Sequence, residues 1–555
     1  MNNIFYPKFF SLRQKGLLWG QWKTDVFSGI IVGIVALPLA IAFAVASGVS
    51  PEKGLITAII AGFIISFLGG SRVQIGGPTG AFIIIVYGIL ENYGLDGLLI
   101  STVLAGIIMV LFGVLKLGAL LKYIPHPLVV GFTSGIALVI FSTQIKDAFG
   151  LGIDKLPSEF IDKWDTYFHS FSTINPTALI ITVATILISL YSKKITSKIP
   201  GSFIAIILMT VIVKVFDLPV TTIESLFGEI SGSIKLAIPE INFANIPNYF
   251  APALTIALLG SIESLLSAVV SDGMISSNHR SNTELIAQGI ANIVTPIFGG
   301  IPATGAIART ATNVKNGGRT PIAGMVHAVT LLLIMLFFGK WAKLIPMSCL
   351  AGILIVVSYN MSEWRSFKSI LKGSFFDIIV LLTTFFLTVL VDLTVAIEVG
   401  IVLSSLLFMK RMADLGSSRL PEEVDSDMVD KYEDLPKGLK IYEISGPFFF
   451  GSAKSYAEMI KQVGLKSKIM IIRMRHVPFI DATGTQNFKA VIKTIQSNHT
   501  KILLSGVQPN VREELEKSGI AKLVGDEAIF DLFDNALIEA KRLHEEMTSK
   551  KKSQN

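Results

Sequence analysis

Two charged residues sit in sequence otherwise apolar enough to cross a bilayer. Glu263 lies in ALTIALLGSIESLLSAVV, and Arg309 lies in IARTA, five residues after Thr304. A charge at membrane depth costs about 2.5–3.5 kcal/mol on insertion scales, so each should face a partner or a wet cavity. For Arg309 that partner is either an anionic ligand or Glu263 itself. A carboxylate such as Glu263 suits a proton carrier or a sodium ligand, with Ser267 one turn on along the same helical face. An anion arriving beside Glu263 would favour its protonation, and by reciprocity protonation would favour the anion. Glu398 in VAIEVGIV, His327 and Asp392 are weaker candidates, better suited to interhelical hydrogen bonding or gate structure.

A second pattern points to the same place. Residues 78–81 read PTGA and follow Gly76 and Gly77; residues 303–306 read ATGA and follow Gly299, Gly300, Ile301 and Pro302. Bare backbone at membrane depth is tolerated only where it is buried in protein or lines a cavity. Gly76–Pro78 and Gly299–Pro302 should therefore be extended segments meeting near the bilayer centre, each followed by a short helix. Two helix starts with unpaired N–H groups, together with the hydroxyls of Thr79 and Thr304, would form an anion site. A Gly/Pro hinge or close helix packing is the plainer alternative.

The elements that must position these residues follow from composition. The 555 residues are 51% hydrophobic and 16% charged, with a mean hydropathy of +0.63, which indicates a polytopic membrane protein. Measured against the roughly 20 residues a bilayer requires, spans are expected near 24–46, 53–70, 76–91, 97–117, 126–144, 174–192 and 199–216. A second series falls near 250–271, 283–299, 304–316, 321–339, 345–358, 375–391 and 394–410. The first run ends AFAVASG but is too long for a cleaved signal peptide.

Loop charge orients these spans. Lys116, Lys122, Lys193, Lys194, Lys198, Arg280, Lys315, Arg319, Arg365, Lys368, Lys372, Lys410 and Arg411 gather on one side, with the N-terminus. On the other, 145–175 carries three lysines (Lys146, Lys155, Lys163) against five acids, and 217–249 carries Lys235 against Asp217, Glu224, Glu229 and Glu240. Only Lys340 and Lys343 break the rule. Both termini are expected in the cytoplasm, with the chain in the plasma (inner) membrane. Seven spans per half make any internal repeat inverted, and matched short Gly/Pro-interrupted segments then mark the midplane site. In the first span Pro38 interrupts the helix, Phe43 offers an apolar wall, and Gly29 and Gly33 form a small face for helix packing.

After Arg411 the composition changes. A charged linker over 412–436 leads to apolar strands at KIYEIS, KIMIIRMR and KILLSG, with helices near 452–463, 484–497, 509–518 and 527–546, the pattern of a small α/β domain. FIDATGTQNF places Asp481 and Thr483 between a strand and a helix start, where Thr483 would cap the helix or carry a phosphate stabilised by its dipole. One cysteine, Cys349, leaves no thiol cluster for a metal. No catalytic cluster, cofactor site or nucleic-acid partner is indicated.

LPLAIAFAVASG, GGPTGAF, LLGSIESLLSAVVSDGM, GGIPATGAIARTATNVKNGGRTPIAG and FIDATG occur in this order. Together they resemble the sulfate permease (SulP) family of anion transporters, relatives of the animal anion exchangers and prestin, over nearly the whole chain. The resemblance implies an α-helical membrane protein of fourteen spans as a 7+7 inverted repeat, uracil-permease-like. It also implies core (1–4, 8–11) and gate (5–7, 12–14) domains moving as an elevator, a homodimer and a C-terminal STAS domain. The implied division is 1–23 cytoplasmic N-terminus, 24–411 transmembrane transport domain, 412–436 linker, 437–548 STAS domain and 549–555 basic tail.

Carried over by position, the family's substrate site falls on Phe43, Thr79, Gly80, Ala81, Thr304, Gly305, Ala306 and Arg309, and its coupling carboxylate on Glu263. Leu39 stands where many animal members have glutamine, so their substrate preferences do not transfer. Sodium-coupled bicarbonate members carry Asp with a hydroxyl one turn on; Glu263 with Ser267 favours a proton as coupling ion, with sodium as the alternative. Thr483 matches the hydroxyl phosphorylated in sporulation-type STAS domains, and a cytoplasmic regulatory protein is the partner expected there. The expected function is proton-coupled symport of a small inorganic or carboxylate anion of the sulfate, bicarbonate or dicarboxylate class. The alternatives are sodium–bicarbonate symport, anion exchange, and a membrane-anchored signalling protein with STAS output.

Overall fold

The computed structural model describes residues 5–119, 125–153, 156–157, 159–195, 200–228, 236–237, 239, 246–391, 393–417 and 435–552. Lys122, Lys155, Lys198, Lys235, Glu229, Glu240, Asp392 and linker residues 418–434 lie outside the described residues. The chain forms two compact units, 1–401 and 402–555.

In the first unit a short helix, α1 (Lys8–Gln14), precedes α2 (Trp22–Ala46) and α3 (Pro51–Leu68). A two-residue strand, β1 (Gly76–Gly77), leads into α4 (Phe82–Val114). α4 is broken at Gly94, whose φ of 68° is open to glycine at little cost. That break separates the third and fourth spans, expected as 76–91 and 97–117. Next come α5 (His126–Phe149), α6 (Phe160–Ser170), α7 (Pro176–Ile195), α8 (Gly201–Val215) and α9 (Ile223–Phe227). The second half repeats the order with α10 (Ile246–Ile275), α11 (Ser281–Val294), a strand β2 (Thr304–Gly305), α12 (Ile307–Lys315), α13 (Ile322–Ala342) and α14 (Met347–Met361). A short α15 (Trp364–Ile370) precedes α16 (Phe375–Leu390) and α17 (Leu393–Ser417). Among the described residues six of these helices are long and apolar enough to cross a bilayer individually, and α8 and α16 are shorter apolar helices. Counting the two arms of α4 separately and setting aside the short α1, α6, α9 and α15, the described helices follow the order of the expected series, seven in each half.

The helices sort into two groups. α2, α3, α4 and α10 to α13 pack mainly on one another, and α5, α7, α8, α14 and α16 form the other set, with sparse contact between them. Close approach inside the first group rests on glycine. A Cβ on Gly106 of α4 would lie 2.6 Å from the Gly289 carbonyl of α11, and one on Gly289 would lie 2.5 Å from that of Gly106. Buried polar groups tie the inner ends. The Glu284 carboxylate accepts from the Gly70 and Ser71 amides at 2.7 and 2.9 Å. Asp25 accepts from the amides of Arg319 and Thr320, at 2.7 and 3.1 Å, and from the Thr320 hydroxyl at 2.6 Å. Lys343, one of the two exceptions to the charge pattern, pairs with Glu224 at 2.7 Å. The exception is thereby absorbed by an acid on the same face.

The second unit holds a parallel four-stranded sheet in the order β3 (Leu439–Ser445), β4 (Ile469–His476), β5 (Lys501–Ser505), β6 (Ile529–Phe530). Its helices are α18 (Ala453–Gly464), α19 (Ala482–Ser497), α20 (Pro509–Lys517), α21 (Ile520–Val524) and α22 (Phe533–Lys552). β6 escaped the sequence reading because two residues are too few to show alternation. In β4, Met470, Ile472 and Met474 belong to one apolar cluster and Ile469 and Ile471 to another, so the sheet is covered on both faces, as parallel sheets require.

Replacing Gly106 by Val should misfold or strongly destabilise the chain, since overpacking against backbone typically costs about 1–3 kcal/mol or more. Thermal unfolding in detergent checks this. A Gly106→Val protein that melts with wild type would show that α4 and α11 are not held this closely.

Candidate functional site

The two strands answer how glycine-rich backbone survives at this depth. β1 and β2 pair antiparallel, Gly76 opposite Gly305 and Gly77 opposite Thr304, and the Ala306 amide donates to the Ile75 carbonyl at 2.8 Å. Pairing thus joins the first half of the chain to the second. One expectation needs correction in part: the residues that pair as the second strand are Thr304–Gly305, just past Gly299–Pro302. Gly299 instead closes a single 3₁₀ turn in the left-handed region, with φ 76°.

α10 supplies what the strands leave unsatisfied. Gly260, Glu263, Ser264 and Ser267 fall at three- and four-residue spacings and so share one helix face. Thr304 donates to the Gly260 carbonyl at 3.2 Å and shares a 2.8 Å hydroxyl contact with Ser264. Gly305 N–H donates to Ser264 Oγ at 3.0 Å, and Gln74 Nε2 donates to the Ser264 carbonyl at 3.1 Å. Thr310 Oγ1 accepts from Ile75 N–H at 3.0 Å and from Ser267 Oγ at 3.3 Å. Thr79 Oγ1 donates to Glu263 Oε2 at 3.0 Å.

These bonds revise two expected roles. The Thr304 hydroxyl is fully buried and turned into α10, so it is a structural donor, not one open to a ligand. Ser267 bonds Thr310, so it supports α12 instead of standing beside the Glu263 carboxylate as a ligand. The hydroxyls that serve strand amides are those of Ser264, which takes Gly305 N–H, and Thr310, which takes Ile75 N–H; each such amide left buried and unpaired would cost about 1–3 kcal/mol.

Arg309 departs further from expectation. Its guanidinium is 1% exposed, and Nη2 donates to the Pro78 carbonyl while Nη1 has no hydrogen-bond partner. A Cβ on Gly77 would lie 2.6 Å from Nη1, so Arg309 packs directly behind β1. Among the described residues no ion pair joins it to Glu263. Arg309 therefore acts on the helix start through the Pro78 carbonyl and through its charge, without an exposed contact surface of its own.

Both helix starts lie next to the strands. Phe82 N–H and Ile83 N–H close turns onto the carbonyls of Thr79 and Gly80 at 3.2 and 3.1 Å, and α12 opens at Ile307 with Ala306 as its N-cap. First-turn amides have no acceptor in their own helix. Thr79 and Glu263 are half-buried, Gly80, Ala81 and Ala306 are buried, and Ile307 and Ala308 are exposed. Phe43 is 6% exposed and sits in the same apolar cluster as Phe82. The structure therefore brings Thr79–Ala81, Glu263 and Thr304–Arg309 to one region around the paired strands, while Phe43 belongs to the large apolar cluster that also holds Phe82.

Ser264, Gln74 and Thr310 escaped the sequence reading. Ser264 was legible as the neighbour of Glu263 on a polar stripe within GSIESLLS. Gln74 was legible as a lone amide in RVQIGG. The weaker candidates fare differently: His327 is fully buried with neither ring nitrogen hydrogen-bonded, and Glu398 is exposed. In the C-terminal unit, Asp481 and not Thr483 caps α19, accepting from the Gly484 amide at 2.6 Å and from the Phe450 amide at 3.0 Å. A carboxylate one residue before the helix reaches its third amide, which leaves Thr483 exposed.

Residues 22–384 match the sulfate permease family. The chain belongs to that family. Residues 432–536 match the STAS domain. Among curated relatives, YvdB of Bacillus subtilis (strain 168) is 41% identical over 95% of this chain and 99% of the relative. The bicarbonate transporter BicA of Picosynechococcus sp. (strain ATCC 27264 / PCC 7002 / PR-6) is 30% identical over 90% of this chain and 92% of the relative. The solved transmembrane domain of a cyanobacterial BicA superposes with a TM-score of 0.63 at 30% identity, covering 68% of this chain and 98% of that one. Murine Slc26a9, solved in an inward-facing state, gives 0.84 at 18% identity, covering 96% and 93%, a likeness of fold. The family member described here is thus a helical membrane anion transporter with a C-terminal STAS domain.

Removing Ser264 tests how the site is held. Ser264→Ala strands the Gly305 amide and should cost about 1–3 kcal/mol, read as earlier thermal unfolding together with weaker anion binding. Unaltered melting and binding would mean that β2 is fixed without α10.

Proposed function

We propose that the chain is a secondary transporter that carries a small inorganic or carboxylate anion inward together with a proton. The bond from Thr79 to Glu263 carries this reading, because it links the helix start suited to an anion with a carboxylate. An anion at Thr79–Ala81 and Ile307–Ala308, beside Ala306, meets first-turn amides and the field of buried Arg309. Its negative charge then stabilises the protonated form of Glu263, so anion and proton travel together. The paired strands make one rigid unit of α2 to α4 and α10 to α13, which suits an elevator motion against the sparsely attached second group.

Sulfate, bicarbonate or a dicarboxylate fits a site built from amides and charge, which favours negative charge without fixing shape. Sodium-coupled bicarbonate uptake is the second reading, favoured by 30% identity to a bicarbonate transporter. In this proposal the chain is a homodimer in the inner membrane with both termini cytoplasmic. The STAS domain receives a regulatory protein, with exposed Thr483 open to phosphorylation.

The test is uptake of a panel of labelled anions into proteoliposomes under an imposed proton or sodium gradient. Proton-stimulated uptake should be lost in Glu263→Gln while anion binding is retained within about tenfold. Sodium-stimulated bicarbonate uptake would replace the proton, and pH dependence unchanged in Glu263→Gln would remove Glu263 from coupling.

A further inference from the structure

A cavity of 640 Å³ lies between the two helix groups, on the face that the charge pattern assigns to the outside. One wall comes from the ends of α2 and α4, with Val45, Ile83, Tyr87 and Glu91; the other comes from α5, α6 and α14. Ile83 and Ile84 belong to the first turn of α4, so the cavity reaches the helix start that forms the anion site.

Two side chains one turn apart on α4 face this opposing wall. Tyr87 hydroxyl donates to the Leu156 carbonyl at 3.1 Å, across to the segment joining α5 and α6. Glu91, four residues on, shares the cavity wall with Lys163 of α6, whose ammonium is disfavoured by burial and favoured by the charge of Glu91, without a direct ion pair between them among the described residues. Lys163 lines the cavity yet is 3% exposed. A lysine is almost never buried to that degree unless its charge is compensated. α6 is fastened to the second helix group in turn, since Tyr167 hydroxyl donates to the Ser142 carbonyl of α5 at 2.8 Å. A cap anchored to one group thus grips a helix of the other at the mouth of the cavity.

We propose that Tyr87 and Glu91 on α4, with Leu156 and Lys163 on the α5–α6 segment, form an outer latch that must open for anions to exchange between the outside and the start of α4. The proposal rests on the transport reading, because a latch between the groups matters only if they move. It accounts for a buried cation that the anion site does not use. Other charged groups on the cavity wall are Lys146 and Asp147 of α5 and Glu159 before α6. Glu91 and Lys146 make further interactions as well, so the latch is one part of a wider charged rim.

The full-length chain tests this with a reporter, Leu354→Cys on the cavity wall, in a Cys349→Ser background, the native thiol being buried. A membrane-impermeant maleimide should label the reporter about fivefold faster after Tyr87→Phe or Lys163→Met, the shift expected for one lost polar contact. Lys163→Glu should do the same, and the swap Glu91→Lys with Lys163→Glu should bring labelling back toward wild type. In uptake, the maximal rate should change while KM stays within about twofold, because neither residue touches the site. Labelling unaltered by both Tyr87→Phe and Lys163→Met, or a changed KM with an unchanged rate, would overturn the latch. Labelling needs no flux, so absent wild-type uptake would sink the transport reading and leave this measurement standing.

Discussion

Everything in the membrane unit depends on one constraint: backbone groups at membrane depth must find partners inside the protein. A chain that breaks two helices there exposes amides and carbonyls that no lipid can satisfy. The solution is a ladder of two residue pairs, Gly76 with Gly305 and Gly77 with Thr304. A strip of hydroxyls and carbonyls along α10 completes it. Gly77 has a φ of 145°, a conformation in which a side chain is strained, and a side chain there would also press on Arg309; one at Gly305 would displace the Gln74 amide. The same breaks leave two helix starts beside the ladder, so the cost of interrupting the helices creates the positive ends an anion needs.

Charge is then arranged around that backbone. Arg309 is held behind β1 by Pro78, where it can attract an anion without becoming a contact ligand that must be released at each turnover. Glu263 is reached from the other side through Thr79. Strands, α10 and both half-helices form a single bonded body, so in the proposed transport a change in protonation or anion occupancy would bear on a whole helix group. The outer cavity between the groups is the complementary feature, and its polar clasp sits where relative motion would be felt first.

The order of spans, the inverted repeat and the glycine-rich breaks were legible because each leaves a local mark: apolar runs near bilayer length, odd span number per half, and PTGA echoed by ATGA. Glu263 and Arg309 were legible because charge is rare in such sequence. Partner choice was not. Thr304 and Ser267 carry hydroxyls in the right region, yet both turn to buried backbone or a neighbouring threonine, and only the register of β1 on β2 decides that. The shift from Gly299–Pro302 to Thr304–Gly305 has the same cause, since pairing across 229 residues, from 76 to 305, leaves no local pattern. Asp481 outcompetes Thr483 as cap because its side chain reaches the amide three residues on, a matter of geometry beyond composition.

The central claim is that one anion binds where the starts of α4 and α12 meet the paired strands. The most direct measurement is a density map of the full-length chain with a saturating transported anion, compared with a map of the same protein without it. The account predicts new density within hydrogen-bonding distance of the Thr79–Ala81 and Ile307–Ala308 amides, with β1 and β2 still paired. Density only elsewhere, for example beside Lys163 in the outer cavity, or strands that separate when the anion binds, would contradict it.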